Sequence, residues 1–178
     1  MPHSELDEIS TKGDSLVCLL GVDHQVQHSG LPMTPERDKE TRDFCAFLKS
    51  MVKDLNISML AEEFNEDALR MNNVSISIVK NVAEGVELKH LYCDPTRQER
   101  KALGIDNDLD RREQFWLSRL EPHLNYERIL LVCGASHLES FQKRLLDKGV
   151  KAEVLHAQFG IGLPPLGTMG KFGVFLDL

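Results

Sequence analysis

The chain has 178 residues, of which 28 are acidic and 21 are basic, so its formal net charge is −7. With 42% apolar and 28% charged residues, it has the composition of one folded domain and not of a disordered, collagen-like or coiled-coil chain. The acidic balance argues against nucleic acid or an anionic lipid surface as a partner, because both are bound largely through Lys and Arg.

The beginning of the sequence and the cysteines bear on where the protein is found. The first ten residues, MPHSELDEIS, lack the basic start and the apolar stretch of a secretion signal. The best apolar run, Ser15 to Val22, is far shorter than the ~20 residues that cross a bilayer. We therefore expect a cytoplasmic protein without a membrane contact. Cys18, Cys45, Cys93 and Cys133 form no C-x-x-C pair, which favours reduced core thiols over a zinc cluster.

Two strands and a helix are predicted in the first third of the chain. Leu16 to Leu20 is a continuous apolar run ending at Gly21, as in a strand covered on both faces. Thr34-Pro35-Glu36 has the N-cap, first-turn proline and first-turn acid of a helix start, and apolar residues at spacings of three and four predict a helix to about Leu55. Ile57 to Ala61 is the second predicted strand.

The middle of the chain predicts one strand between helices. A helix is expected from about Glu66 to Glu84, although Val74 to Val79 alternates as a strand does. Val86 to Cys93 is the third predicted strand, and Asp94-Pro95 ends it because proline cannot continue the pairing. Two further helices are predicted at Arg97 to Leu103 and Leu109 to Leu120.

The last third adds two strands and a tail of different composition. Ile129 to Cys133 is the fourth predicted strand, a helix follows that closes near Gly149, and Ala152 to Leu155 is the fifth strand. We divide the chain into a flexible acidic N-terminus (1–14), a single α/β domain (15–157) and a glycine-rich arm or edge strand (158–178) that could mediate a homo-oligomer contact. The alternation predicts an α/β fold: a mainly parallel open sheet of about five strands with helices on both faces.

Polar side chains follow the first four predicted strands. The first and fourth end in Gly-x-x-His, Gly21 to His24 and Gly134 to His137, where glycine allows a sharp turn off the strand. The second is followed by Glu62-Glu63 and the third by Asp94. Ligand sites in open α/β sheets lie at the carboxyl ends of the strands. Imidazole and carboxylate groups there suit a divalent metal such as zinc or manganese, and without a metal they could transfer protons.

Several of these residues have a plainer interpretation. Strand alternation allows only one of Glu62 and Glu63 to face the site, and we prefer Glu63. Asp94 before Pro95 is explained equally well as a turn or helix cap. Arg112 is our choice among the arginines for an anion contact. His90 and His123 are expected at the surface, and Trp116 in the core.

The two Gly-x-x-His motifs, with acids at the ends of the intervening strands, resemble the erythromycin esterase-like/ChaN-like superfamily, which includes the TraB pheromone-shutdown proteins and the Tiki metalloproteases. The likeness spans Leu16 to about Leu155. It implies an α/β protein whose site contains both histidines, an acid after the second strand, and an aspartate and an arginine further on. In this sequence these positions are His24, Glu63, Asp94, Arg112 and His137.

The resemblance implies a hydrolase, metal-dependent as in the Tiki type or histidine-based as in the esterase type. Our first hypothesis is a cytoplasmic metal-dependent hydrolase of a small polar ester, amide or phosphoester. Zinc or manganese would be bound by His24, Glu63, Asp94 and His137. The catalytic residues would be His24, Glu63, Arg112 and His137.

Two alternatives stay open. One is a non-enzymatic regulatory or binding domain for a small ligand or haem, because the ChaN-like branch binds haem and one fold serves many functions. The other is a metal-free histidine-based esterase. Metal content separates the first hypothesis from both, and ligand-induced stabilisation without turnover would indicate the binding domain.

Overall fold

Five parallel strands form one open sheet in the computed structural model, which describes residues 15–27, 35–105 and 107–159, without the side chains of 24, 25, 36, 37 and 156–159. The strands are β1 (Leu16–Val22), β2 (Met59–Glu62), β3 (Lys89–Tyr92), β4 (Arg128–Gly134) and β5 (Ala152–Phe159). Their order in the sheet is β3-β2-β4-β1-β5, and every pairing is parallel. The predicted α/β fold with a sheet of about five strands is confirmed.

Helices cover both faces of this sheet. They are α1 (His24–Gln27), α2 (Pro35–Asp54), α3 (Glu66–Met71), α4 (Ile78–Gly85), α5 (Arg97–Leu103), α6 (Leu109–Leu120) and α7 (Leu138–Asp147). Apolar residues of α2 and α4 pack on one face, which we call the first face. Those of α6 and α7 pack on the second face. Within the described part of the chain, no helix is both long and apolar enough to cross a bilayer.

The strand order places a topological switch point between β2 and β4. The chain passes from β1 through β2 to β3 in one direction across the sheet, and from β3 through β4 to β5 in the other. Right-handed crossovers therefore place the two sets of helices on opposite faces. The connections after the neighbouring strands β2 and β4 run away from each other, which is the arrangement that opens a ligand crevice at the carboxyl ends.

The prediction of a single helix from Glu66 to Glu84 is wrong, because the structure has two helices in this range. Asn72 ends α3, Asn73 has a positive φ of 52°, and the Ser77 side chain caps α4 by accepting the Lys80 backbone N–H. Asn tolerates the left-handed region better than most residues, and Ser is a preferred N-cap. The third strand also begins later than expected, at Lys89, because the end of α4 takes up the preceding residues.

The ends of the domain differ slightly from the predicted boundaries. The fifth strand runs to Phe159, two residues into the segment expected to form the arm. The rest of that arm, with its expected oligomer contact, and the predicted flexible N-terminus at 1–14 lie outside the described residues.

Candidate functional site

The adjacent carboxylates of Glu62, the last residue of β2, and Glu63, which follows it, lie on opposite faces of the sheet. Leu60 belongs to the core of the first face and Ala61 to that of the second, so strand alternation directs Glu62 to the first face and Glu63 to the second. The exposed fraction is 0% for Glu62 and 6% for Glu63. Each of them therefore needs its own set of donors.

On the second face, the Arg112 guanidinium of α6 joins two of the predicted site residues. Its Nη2 donates to Oε1 of Glu63 at 2.7 Å and to Oδ1 of Asp94 at 2.7 Å, and its Nε donates to the same Asp94 oxygen at 2.9 Å. Burial lowers the pKa of Arg112, but the carboxylates of Asp94 and Glu63 outweigh burial, so the pKa lies above its ordinary value. The backbone N–H of Gly134 donates to the other oxygen of Glu63 at 2.8 Å.

Asp94 connects several elements besides α6. Arg100 donates to its Oδ2 at 2.5 Å, and Asn65, the N-cap of α3, donates to the same oxygen at 3.1 Å. The indole N–H of Trp116 donates to Oδ1 at 3.1 Å. The carboxylate is 6% exposed, and its donors come from three helices or their caps. Asp94 is therefore neither a simple turn residue nor a carboxylate with open coordination positions.

His137 lies between two buried carboxylates at the end of β4. Its Nδ1 is 2.8 Å from Oε1 of Glu113, and its Nε2 is 3.5 Å from Oε1 of Glu63. The side chain is 4% exposed, and the ring of Trp116 lies 4.7 Å from it between centroids. In the tautomer with the hydrogen on Nδ1, that nitrogen donates to the Glu113 carboxylate. Nε2 then carries the lone pair of the ring.

Glu113 lies between His137 and a groove that is formed by α6 and α7. The hydroxyl of Ser140 donates to Oε1 of Glu113 at 2.6 Å, and Arg144 Nε lies 3.7 Å from its Oε2. Both residues line the groove, whose volume is about 630 Å³. Glu113 itself is 3% exposed, so it separates the imidazole from the groove.

A second polar cluster surrounds Glu62 on the first face. Ser77 donates to its Oε1, and His90 Nε2 lies 2.8 Å from the same oxygen. Gln27 of α1 donates to Oε2 at 3.5 Å. The expectation that His90 lies at the surface is wrong, because its side chain is only 7% exposed. The ring of Tyr92 packs edge-on against it at 4.6 Å.

The structure brings four of the five predicted site residues into one cluster, namely Glu63, Asp94, Arg112 and His137. The backbone of His24 begins α1 directly after β1, but its side chain lies outside the described residues. Trp116 is 0% exposed and packs in the core, as predicted.

The cluster fits a guanidinium better than a metal ion. The Arg112 side chain lies between Glu63 and Asp94, where a cation that binds both carboxylates would have to be. Among the described side chains, no group of three His, Cys, Asp or Glu could hold a metal ion. The set of His24, Glu63, Asp94 and His137 as ligands of zinc or manganese stays a prediction.

Sequence reasoning missed Glu113 and the pairing of His90 with Glu62, which it had named only as the less preferred of two adjacent carboxylates. Glu113 follows Arg112 in a charged helix and has the pattern of a solvated face. A signal was nevertheless present, because Glu113 and Trp116 are three residues apart and so share a helix face. His90 lies in an alternating strand, where the period of two places it on the same side as Tyr92.

Comparison with known proteins adds no relative to these observations. The chain matches no family model, no curated protein and no solved structure. The resemblance to the erythromycin esterase-like/ChaN-like superfamily therefore stays a prediction, and the function is argued from the residues themselves.

Proposed function

We propose that this chain is a hydrolase of a small polar ester, amide or phosphoester, in which His137 is the general base. The observation that carries the proposal is the imidazole held between Glu113 and Glu63, 2.8 Å from one carboxylate and 3.5 Å from the other. A histidine oriented by a buried carboxylate is the usual means of activating a hydroxyl or a water molecule.

The two carboxylates would serve different purposes in this reaction. Glu113 accepts from Nδ1 and so keeps the lone pair on Nε2, which can remove a proton from a water molecule that attacks the substrate. When Nε2 takes up the proton, the ring becomes positively charged beside Glu63, and this charge is stabilised at a site with little solvent. Arg112 binds Glu63 and Asp94, so its part is to position Glu63 and not to bind the substrate.

The metal-dependent form of the hydrolase is our second candidate. Glu63, Asp94 and His137, three of its four predicted ligands, lie in one cluster, but a metal ion bound there would have to take the place of the Arg112 guanidinium. Elemental analysis of freshly purified protein separates the two forms. About one equivalent of zinc or manganese per chain would favour the metal-dependent form, and less than about a tenth would favour His137 alone.

The experiment that tests the proposal is a hydrolysis assay with chromogenic esters, anilides and phosphoesters. We expect His137→Asn to lower the rate by about 100-fold or more, because a general base contributes about 100- to 10,000-fold. Glu113→Gln should lower it too and displace the pH profile. His123→Asn, in the short helical turn before β4, is the matched control and should change the rate less than about twofold.

Three outcomes would contradict the proposal. A wild-type protein inactive on all three substrate classes would do so, as would a folded His137→Asn variant with the wild-type rate. Stabilisation of the fold by a small ligand or haem without turnover would instead support the binding domain. Thermal unfolding of each variant is the control that distinguishes a lost rate from a lost fold.

A further inference from the structure

Ser140 of α7 contacts the buried carboxylate of Glu113 on α6. The serine is exposed and lines the groove between the two helices. Its hydroxyl has two acceptors within reach, Oε1 of Glu113 at 2.6 Å and the carbonyl oxygen of His137 at 3.3 Å. Serine in a helix commonly donates to a carbonyl of the preceding turn. A short bond to a charged acceptor is stronger, so Ser140 donates to Glu113 rather than to its own helix.

The other oxygen of Glu113 faces a buried N–H of Arg144. This Nε has no hydrogen-bond partner among the described residues. It lies 3.7 Å from Oε2 of Glu113, beyond the roughly 3.2 Å limit of an ordinary N–H···O bond. Nη2 of the same arginine binds Asp110, whose side chain is 65% exposed. A movement of the Glu113 carboxylate by about 0.5 Å towards Arg144 would satisfy the buried N–H, which is costly to leave unpaired.

The carboxylate of Glu113 is therefore attracted towards two sides. Its Oε1 accepts from Ser140 and lies 2.8 Å from Nδ1 of His137, whereas its Oε2 is attracted to Arg144. The imidazole has a second acceptor, because its Nε2 lies 3.5 Å from Oε1 of Glu63. A ring hydrogen on Nδ1 is favoured while Glu113 stays close to the ring. A movement of Glu113 towards Arg144 would instead favour a hydrogen on Nε2.

We propose that Ser140 is a positioning residue: it keeps the Glu113 carboxylate against Nδ1 of His137 and so determines which ring nitrogen carries the hydrogen. The inference rests on the proposed function only in taking Nε2 as the base. Ser140 itself takes no part in the proton transfer. An exposed hydroxyl thus orients a carboxylate and an imidazole that are each 3% exposed.

Nitrogen NMR spectroscopy of the neutral His137 ring tests the proposal without a substrate, because the two tautomers differ in the chemical shifts of the ring nitrogens. The signals are assigned by their loss in His137→Asn. In the wild type we expect the hydrogen mainly on Nδ1. Ser140→Ala removes the donor, and the ratio of the Nδ1–H form to the Nε2–H form should fall by about tenfold, the effect of weakening one hydrogen bond to a charged group.

Two further variants separate positioning from a general effect on the fold. Ser140→Thr keeps the hydroxyl and should keep the tautomer ratio within about twofold of the wild-type value. Ser118→Ala is the matched control, because Ser118 lines the same groove but donates to the Phe115 carbonyl of its own helix at 2.7 Å. It should change the ratio less than about twofold.

Three results would overturn the proposal. They are a hydrogen mainly on Nε2 in the wild-type ring, an unchanged ratio in Ser140→Ala, and an equal change in Ser118→Ala. We expect Ser140→Ala to fold, because the position is exposed and Ala is a stronger helix former than Ser. Should it fail to fold, a tenfold lower ratio in Ser140→Thr would overturn the proposal by itself, and a ratio within about twofold would support it.

The outcome is separable from that of the hydrolase assay. A chain that hydrolyses nothing but shows the change in tautomer retains Ser140 as the positioning residue of Glu113 and loses the hydrolase proposal. A chain whose hydrolysis requires His137, but whose tautomer ratio is unchanged in Ser140→Ala, retains the hydrolase and loses the positioning role.

Discussion

Arg112 is the residue on which the charge balance of the candidate site depends. It is 15% exposed at the side chain and binds two carboxylates that are 4% and 6% exposed. Its planar fork can contact both acids at once, which a lysine ammonium cannot do with the same geometry. The site thus contains its own cation, and the acidity that suggested a metal in the sequence is compensated by an arginine 18 residues further along the chain from Asp94.

Arg112→Met should destabilise the protein by about 3 to 5 kcal/mol, because it leaves Glu63 and Asp94 as buried carboxylates without their shared partner. Urea unfolding followed by circular dichroism measures the change. The neighbouring Arg111→Met is the control. Its side chain is 55% exposed, so its loss should cost less than about 1 kcal/mol. Equal effects of the two substitutions would show that the cluster does not depend on Arg112.

At the scale of elements, α5 is a helix that depends on its ends. It has seven residues, and none of them is buried. Thr96 accepts the N–H of Glu99 at 3.3 Å, and Glu99 accepts the N–H of Thr96 at 2.9 Å, so the capping box is complete. Gly104 closes the helix with a φ of 63°. Arg100 attaches the helix to Asp94 of the candidate site.

Thr96→Ala should lower the free energy of unfolding by about 1 kcal/mol, the usual cost of losing an N-cap. Because no residue of α5 is buried, the amides of this helix should exchange faster in the variant than those of α6, which has a buried apolar side. Ser118→Ala, an exposed serine whose hydroxyl donates to the Phe115 carbonyl, is the control, with an expected change below about 0.5 kcal/mol. An unchanged stability in Thr96→Ala would mean that α5 is held by Arg100 and not by its cap.

Apolar runs predicted the strands well because β1 and β4 lie in the middle of the sheet and are buried almost throughout. The edge strand β3 was placed less accurately, since its residues are partly exposed and its pattern merges with the end of α4. The division of α3 from α4 depends on the side-chain cap of Ser77. An N-cap stabilises a helix start by only about 1 kcal/mol. The periodicity of the sequence therefore did not show the break between the two helices.

The candidate site was predictable where residues follow strands directly. Glu63, Asp94 and His137 could be found in this way because parallel strands bring their carboxyl ends together. The partners that these residues contact could not be predicted in this way. The contact between His137 and Glu113 spans 24 residues, and that between Glu62 and His90 spans 28. These depend on how α6 and β3 pack against the sheet, and no local pattern in the sequence specifies that packing.

On the scale of the whole molecule, buried thiols are distributed over both cores. Cys18 lies in the core of the first face, and Cys93 and Cys133 lie in that of the second. All three are free, as the sequence predicted. Burial raises the pKa of the Cys18 thiol to about 11, and it also raises the pKa values of Cys93 and Cys133 above their ordinary range. The folded protein therefore keeps these thiols protonated at a pH where the unfolded chain has begun to lose its protons.

Stability should consequently fall as the pH rises above about 9. In that range the unfolded state binds fewer protons than the folded state, so the free energy of unfolding decreases with pH. Each thiol that ionises only in the unfolded chain contributes a slope of about −1.4 kcal/mol per pH unit. Below about pH 8 the thiols are protonated in both states and contribute no pH dependence.

Urea unfolding at pH 8 to 11 under reducing conditions measures this slope, and Cys93→Ala isolates one thiol. Although the variant is expected to be less stable at pH 8 because it loses buried volume, its stability should fall less steeply, by about 1.4 kcal/mol per pH unit. Cys45→Ala is the comparison. Cys45 is only partly buried, and burial raises the pKa of its thiol while Lys49 lowers it. Its removal should therefore change the slope over a narrower pH range. Parallel pH profiles for wild type and Cys93→Ala would mean that the second-face core admits water or hydroxide to this thiol in the folded state.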